Sequence, residues 1–483
     1  DGTSSDGNTF SMISFKYATS VDWYDFLQFY NNTDGGSDYS EELKRSIRDT
    51  TNWYHIVVAV DTTQSTAGNR VKYYVNGELQ TSVSQYYAQI PQNYDTYFNM
   101  AHQHWIGRSL NTNSVYFNGY LAEINFVDGT QYAASDFGEF KNGVWIAKNP
   151  SVTYGTNGYR LQFKQTGTGT ASASTIGADT SGNNNHWTSG NLSAHDVMPD
   201  SPENNFATIN SIREDTLVNG SVTLSEGNLQ SVDASTTYGR HWSSTIGMST
   251  GKWYWEVLAH TLGGSYANIG LGNDVEKQSV SVSDGAIAVY YGNDGKRNPR
   301  AVNTGITSYG ATYADDDIIG IAFDADNESV TFYKNNSSQG AVGSVLVQST
   351  GPYFASVGDG ANSTTYKYVA NFGQDSSFAG NKTAQGNTDG NGIGDFYYAP
   401  PSGFLALCSA NLPEPTISPN ADTQADDYFN TVLYSGNNEV AQDIGGLEFK
   451  PDFVWIKGRS YADHHALFDS SRGVGRILYT NGN

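Results

Sequence analysis

The chain has 483 residues and a net charge of −23, with 26 Lys and Arg against 49 Asp and Glu. It is too long for a single core, and its charge repels nucleic-acid phosphates and anionic membrane surfaces. Fifty-two glycines, 33 tyrosines and nine tryptophans accompany only 16% charged residues. Aromatic side chains suit a pleated, half-buried surface and glycine suits tight turns, so an all-β protein of about three domains with short strands is expected. No stretch reaches the roughly 20 apolar residues of a membrane-spanning helix. The single cysteine, Cys408, lies in the apolar run 403–408 (GFLALC); it excludes an intramolecular disulfide and reads as a small buried hydrophobe.

In chain order, 53–60 (WYHIVVAV) reads as a buried strand and 71–75 (VKYYV) as its partner. The second strand closes on Asn76-Gly77, a turn pair that favours two positive φ angles. Strands follow at 104–107, 119–127 and 159–163, with one helical turn near 135–140 and a turn-rich loop at 179–187 (DTSGNNNHW). A boundary is expected at 199–202 (PDSP), after which the pattern restarts. In 251–257 (GKWYWEV), Trp253, Trp255 and Val257 share one face. Further strands are expected at 269–272, 286–291, 318–324, 329–334, 353–357 and 366–372, a spacing that fits a sandwich. The run 383–394 (TAQGNTDGNGIG) reads as a connector and 412–416 (LPEPT) as a stiff linker. Strands at 429–434 and 453–457 open a third region, thin enough to be the start of a domain. The chain does not open on Met and closes on a Gly/Asn tail, so both ends are expected to be cut from a longer polypeptide.

Three resemblances emerge from these blocks. WYHIVVAVD (53–61), RVKYYVNGE (70–78), HWIGR (104–108) and FNGYLAEINFVDG (117–129) resemble the laminin-G-like branch of the concanavalin A-like jelly rolls. STGKWYWEV (249–257), NIGLGN (268–273), DDIIGIAFDADNESVTFYKN (316–335) and GPYFASVG (351–358), in that order, resemble a SPRY domain. GADTSGNNNHW (177–187), NNFATIN (204–210), FLALCSANLPEPT (404–416), FKPDFVWIKGRS (449–460) and HALFDSSRG (465–473) are similar to virion tail-fibre or appendage proteins of marine bacteriophages. Together these imply tandem β-sandwiches: a laminin-G-like jelly roll with a trailing segment over 1–206, a SPRY-like sandwich over 207–405, and a linker with a truncated C-terminal β domain over 406–483. They also imply location at the surface of a virion and a homo-oligomer, with a trimer favoured.

No catalytic signature stands out. No Gly-x-Ser-x-Gly elbow lies between a strand and a helix, and no glycine-rich run ends in a phosphate-binding GKS or GKT. Asp324, Asp326 and Glu328 would share a strand face, as a glycosidase pair requires, but they fall where the resemblance places a hairpin turn. Ca²⁺ is the one cofactor the sequence admits, at Asp315-Asp316-Asp317 or at Asp61, Asp128 and Asp179, without a matched ligand set. His102 and His104 could share a strand face, yet no third metal ligand is nearby. His55 reads as a core histidine.

Aromatics in polar loops are the stronger functional lead. Sugar rings lay C–H faces on Tyr or Trp while Asn and Asp read the hydroxyls. Tyr86, Tyr87, Tyr94 and Tyr97 lie in one polar stretch; Tyr291, Asn293, Asp294, Arg297 and Arg300 lie in another. The expectation is therefore a non-enzymatic tail fibre or appendage. Its partner would be host surface glycan or other virion proteins, without nucleic acid or membrane insertion. The alternatives are a purely structural decoration protein, a bacterial surface adhesin and a polysaccharide depolymerase.

Overall fold

The turn at Asn76-Gly77 forms as its chemistry dictates: both residues have positive φ, 48° and 79°. The computed structural model describes residues 2–3, 10–16, 26–33, 38–43, 45, 47, 49, 51–81, 83–84, 87–108, 116–141, 144–211, 222–233, 241–263, 267–273, 286–292, 294–299, 307–342, 352–358, 365–413, 425–437, 442–459, 462–473 and 475–482. They are almost all strand, turn and loop; short 3₁₀ turns are the only helical elements among them. Two units are present, one formed by 1–139 with 147–412 and the other by 140–146 with 413–483.

In the N-terminal part, β1 (Gly2–Thr3), β2 (Phe10–Lys16), β3 (Phe26–Asn32) and β4 (Tyr39–Leu43) form one sheet; β5 (Ile56–Val60), β6 (Val71–Val75) and β7 (Glu78–Leu79) form a second. The edge strand β8 (Val83–Ser84) joins the first sheet beside β4. Period-2 alternation sends Leu27, Phe29 and Leu43 from one sheet and Val71, Tyr73 and Val75 from the other into a shared core. This is the face-to-face sandwich expected for the first domain. The Tyr73 hydroxyl crosses that core, accepting from the Phe29 amide at 2.9 Å and donating to the Glu41 carbonyl at 2.7 Å. Beyond it come β9 (Ile124–Phe126), β10 (Gly138–Lys141), β11 (Val144–Ala147) and β12 (Tyr159–Leu161), with β12 antiparallel to β9. The strand expected at 104–107 is reduced to isolated bridges, and that at 119–127 to three residues.

The second sandwich opens with β13 (Val222–Ser225), β14 (Gln230–Asp233), β15 (His241–Ser243), β16 (Lys252–Leu262), β17 (Asn268–Asn273), β18 (Ala286–Tyr291), β19 (Lys296–Pro299) and β20 (Thr307–Ser308). It is completed by β21 (Asp317–Asp324), β22 (Ser329–Lys334), β23 (Ser337–Val342), β24 (Tyr353–Gly358), β25 (Tyr366–Asn371) and β26 (Leu405–Ala406). One sheet runs β13-β14-β25-β16-β21-β22-β23, with β26 parallel to the start of β16; the other runs β15-β24-β17-β18-β19-β20. Trp253, Trp255 and Val257 do face one core, together with Ile319, Ile321, Phe323 and Tyr368.

The opposite face of the first of these sheets is also buried, which the alternation did not predict. Tyr254, Leu258, Ile318, Ala322 and Val369 are covered by the segment that follows β25, chiefly by Phe378, Phe396, Ala406 and Cys408. The 383–394 run, expected as a connector, belongs to this cover. Asp389 orders it by accepting from the amides of Asn391, Ile393 and Ala406 and from the Asn411 amide side chain. Cys408 is buried, as expected.

In the second unit, β27 (Phe453–Ile456), β28 (Ala466–Asp469) and β29 (Leu478–Tyr479) form an antiparallel sheet. None of its described residues past 413 is fully buried, and Phe429, Leu433 and Trp455 stand well exposed. The strand expected at 429–434 is irregular chain.

Candidate functional site

Alternation along β3 decides which side chains leave the first core. Leu27 and Phe29 face inward, so Gln28, Tyr30 and Asn32 emerge on the opposite face. There the Tyr30 hydroxyl donates to Asp38 Oδ2 at 2.8 Å. Asn32 Nδ2 donates to Asp38 Oδ1 and to the Tyr30 hydroxyl, each at 3.2 Å, and the Thr33 amide is the third donor to the carboxylate, at Oδ1 and 3.2 Å. Tyr87 leans over this group with its ring 5.8 Å from Tyr30 and its amide bonded to Ser40 Oγ at 3.0 Å, and the residue is 42% exposed. Burial pushes the Tyr30 phenol up to about 12, so it remains a neutral donor at ordinary pH. The corner therefore presents an accessible aromatic ring beside a carboxylate and an amide already held in place. Such an arrangement offers a ligand an apolar face beside fixed polar groups.

The tyrosines expected to act together lie on different sides of the sheet. Tyr94 accepts from Asn31 Nδ2 at 2.9 Å, packs edge-on to Tyr39 and borders the first core. The Tyr97 amide donates to Ser11 Oγ, which itself donates to Asn31. Asn31 shares the strand parity of Phe29, so Tyr94 and Tyr97 approach from the core side while Tyr87 sits opposite. Tyr86 lies outside the described residues.

In the second sandwich, Asp294 is exposed and pairs with Lys296 at 2.8 Å, and Arg297 stacks 5.7 Å over the Tyr309 ring. Tyr291 ends β18 opposite Asn268. Asn293 and Arg300 lie outside the described residues, as does the side chain of Tyr291. Sequence reasoning missed Tyr30, Asn32 and Asp38, although the alternating FLQFYNN of β3 followed by an aspartate was a legible cue. It also missed an aromatic patch in which Arg108 lies 4.2 Å over Trp105 and Phe117 meets Phe15 at 6.3 Å.

The carboxylates considered for Ca²⁺ or catalysis are engaged by protein donors. Asp61 accepts from Thr63 and Gln64, Asp128 from Asn99 and the Asn157 amide, and Asp317 from Ala314, Asn335 and Lys334. Asp315 accepts from the Leu262 amide, and Asp316 lies 3.8 Å from Lys382. Asp324 is held by Lys252 and Asn327 in the turn between β21 and β22, where Glu328 adopts a left-handed φ of 50°. Among the described residues no group of three or more His, Cys, Asp or Glu is arranged to hold a metal ion.

Asp179 organises the 177–187 block. Burial opposes its ionisation, but the amides of Arg160, Ser181 and Asn185 and the Ser181 hydroxyl outweigh it and hold the carboxyl below its usual range. Asn183 and Asn185 reach back to carbonyls at 155–158. The asparagines of this motif are thus stitching groups.

Comparison with known proteins assigns two segments. Residues 252–375 match the SPRY domain model, so the chain contains a SPRY domain, and 424–483 match a domain of unknown function, DUF7483. No curated protein matches the chain. Among solved structures, the SPRY domain of human HERC1 is similar at 14% identity with a TM-score of 0.28, covering 34% of this chain and 96% of that one.

Proposed function

We propose that this chain is a non-catalytic adhesive component of a bacteriophage virion, a tail fibre or similar appendage, that docks on host surface glycan through aromatic corners of its β-sandwiches. The observation that carries the reading is the Tyr30–Asp38–Tyr87 corner, an exposed ring set beside oriented polar groups on a rigid sheet. The SPRY domain supports a binding role, and the motif blocks at 177–187, 404–416 and 449–473 support the virion assignment. Weak sites repeated over a homo-oligomer, with a trimer favoured, add avidity through effective concentration. The test is binding of the purified chain to an array of bacterial surface glycans, run beside labelling of the chain on intact particles.

A second reading, structural decoration of the particle, is favoured by one observation. Phe429, Leu433 and Trp455 expose large apolar surfaces, which suits protein contact better than sugar contact. Labelling at a particle joint together with no glycan binding would select it.

A further inference from the structure

Glu256 is 0% exposed, on the outer face of β16 between Gly320 of β21 and Asn371 of β25. Its Oε1 accepts from the Tyr398 amide at 2.7 Å and the Tyr254 hydroxyl at 3.1 Å. Its Oε2 accepts from the Tyr397 amide at 2.8 Å and Asn371 Nδ2 at 3.2 Å. Among the described residues no Lys, Arg or His lies within ion-pair distance of it. A carboxyl is therefore sealed from water; ionised it accepts from all four neutral donors, and protonated it donates to the Tyr254 hydroxyl, the one partner that can reverse, while keeping the two amides. Two of the four belong to the segment after β25, which the SPRY match, ending at 375, does not include. That segment is the cover over the outer face of the sheet, seated there by the fully buried Phe378 and Phe396.

We propose that residues 376–412 form a proton-linked strap: neutral Glu256 seats it, and ionised Glu256 loosens it from the apolar face bearing Tyr254, Leu258, Ile318, Ala322 and Val369. The geometry supplies the reason. While the strap is seated, the charge must exist without water and with no cation among the described residues, and at this fully enclosed site desolvation outweighs the four neutral donors. Burial accordingly pushes the carboxyl from 4.5 to about 7, against the pull of the Tyr398, Tyr397, Tyr254 and Asn371 donors. A loosened strap returns Glu256 to water and to its ordinary value. The seated state thus binds the proton more tightly. Seating is firmest below the ordinary carboxylate range, weakens as pH rises from about 4.5 to 7, and levels off above.

The titratable groups nearest Glu256 are chiefly phenols. Tyr254 on the same strand, Tyr333 on β22 and Tyr398 on the strap are phenols that burial pushes upward. Tyr397 presents its amide. Asp317, at the start of β21, is held low: burial raises it, but the Ala314 amide, Asn335 and Lys334 outweigh that. His260 on β16 bonds Asn381 of the strap through its ring, and Asp375, just before the strap, is held by Ser377 and the Ala379 amide. On the strap itself Asp389 and Asp395 are bonded to protein amides, and Lys382 lies against Asp316.

The test is hydrogen exchange of the Tyr397 and Tyr398 amides in the full chain from pH 5 to 8.5, corrected for intrinsic exchange. Protection should fall on the order of a hundredfold between pH 5 and 8, since each unit of differential pKa is a tenfold effect. It should be flat in Glu256→Gln and should still fall in Asp200→Asn. Constant or rising protection in the unsubstituted chain overturns the proposal, as does an equal fall in Glu256→Gln or loss of the fall in Asp200→Asn. If Glu256→Gln does not fold, the series on the unsubstituted chain and on Asp200→Asn still decides.

Discussion

The indole nitrogen of Trp53 donates to Asp200 Oδ1 at 3.1 Å, joining the strand-entry of the first sandwich to a carboxyl 147 residues away. Asp200 Oδ2 is buried and has no partner among the described residues. Burial pushes this carboxyl up to about 7, more strongly than the Trp53 indole and the Phe206 amide pull it down. A raised carboxyl favours the folded state at low pH. Its contribution is complete below about 3.8, the model-compound value, and is lost as pH rises to about 7.

Asp200→Asn should therefore reduce the dependence of stability on pH, leaving the part that Glu256 carries. Asp200 accounts for a loss on the order of 3–4 kcal/mol across that window. Denaturant unfolding at pH 5 and pH 8 checks this. An unchanged difference between the two pH values would remove Asp200 from the account.

Tyr73→Phe removes the oxygen by which β6 reaches across to β3 and β4 of the facing sheet. The buried Phe29 amide and Glu41 carbonyl each lose a partner. A cost of about 1–3 kcal/mol is expected from leaving buried polar groups unpaired. Thermal unfolding of the substituted chain measures it, and the second sandwich should be unaffected because the hydroxyl serves only the first core.

Gly177→Ala tests the stitched 177–187 loop. A Cβ at this position would stand 2.2 Å from the Trp187 carbonyl oxygen, a backbone atom that cannot swing aside. The loop must open, releasing the amides that hold Asp179 low. Lower thermal stability and faster proteolysis near 177–187 are expected. Stability equal to that of the unsubstituted chain would show that the loop is not stitched as described.

Much of the architecture was legible locally. Alternation around Trp253, Trp255 and Val257 identified the inner face of β16, and Asn76-Gly77 fixed the hairpin between β6 and β7. What escaped is non-local. The Gly/Asn-rich run at 383–394 has the composition of a linker, and only the bonds of Asp389 to Ala406 and Asn411 make it part of a cover. Its presence explains why Tyr254 and Leu258, which alternation assigns to solvent, are buried. The Tyr30–Asp38–Tyr87 corner was half seen. Tyr87 was read from its polar surroundings, whereas Tyr30 and Asp38 join it through strand pairing that a linear reading does not reveal. The strand expected at 104–107 lacks a continuous partner, so its propensity alone does not make a ladder.

The central claim is that an aromatic corner on an inert β framework meets sugar. The most direct measurement is binding of the chain and of Tyr87→Ala to the same bacterial surface glycans, with folding verified by circular dichroism. Saturable binding by the unsubstituted chain, weakened at least tenfold by Tyr87→Ala with the fold intact, is the predicted result. No binding by either protein, or equal binding by both, would contradict it.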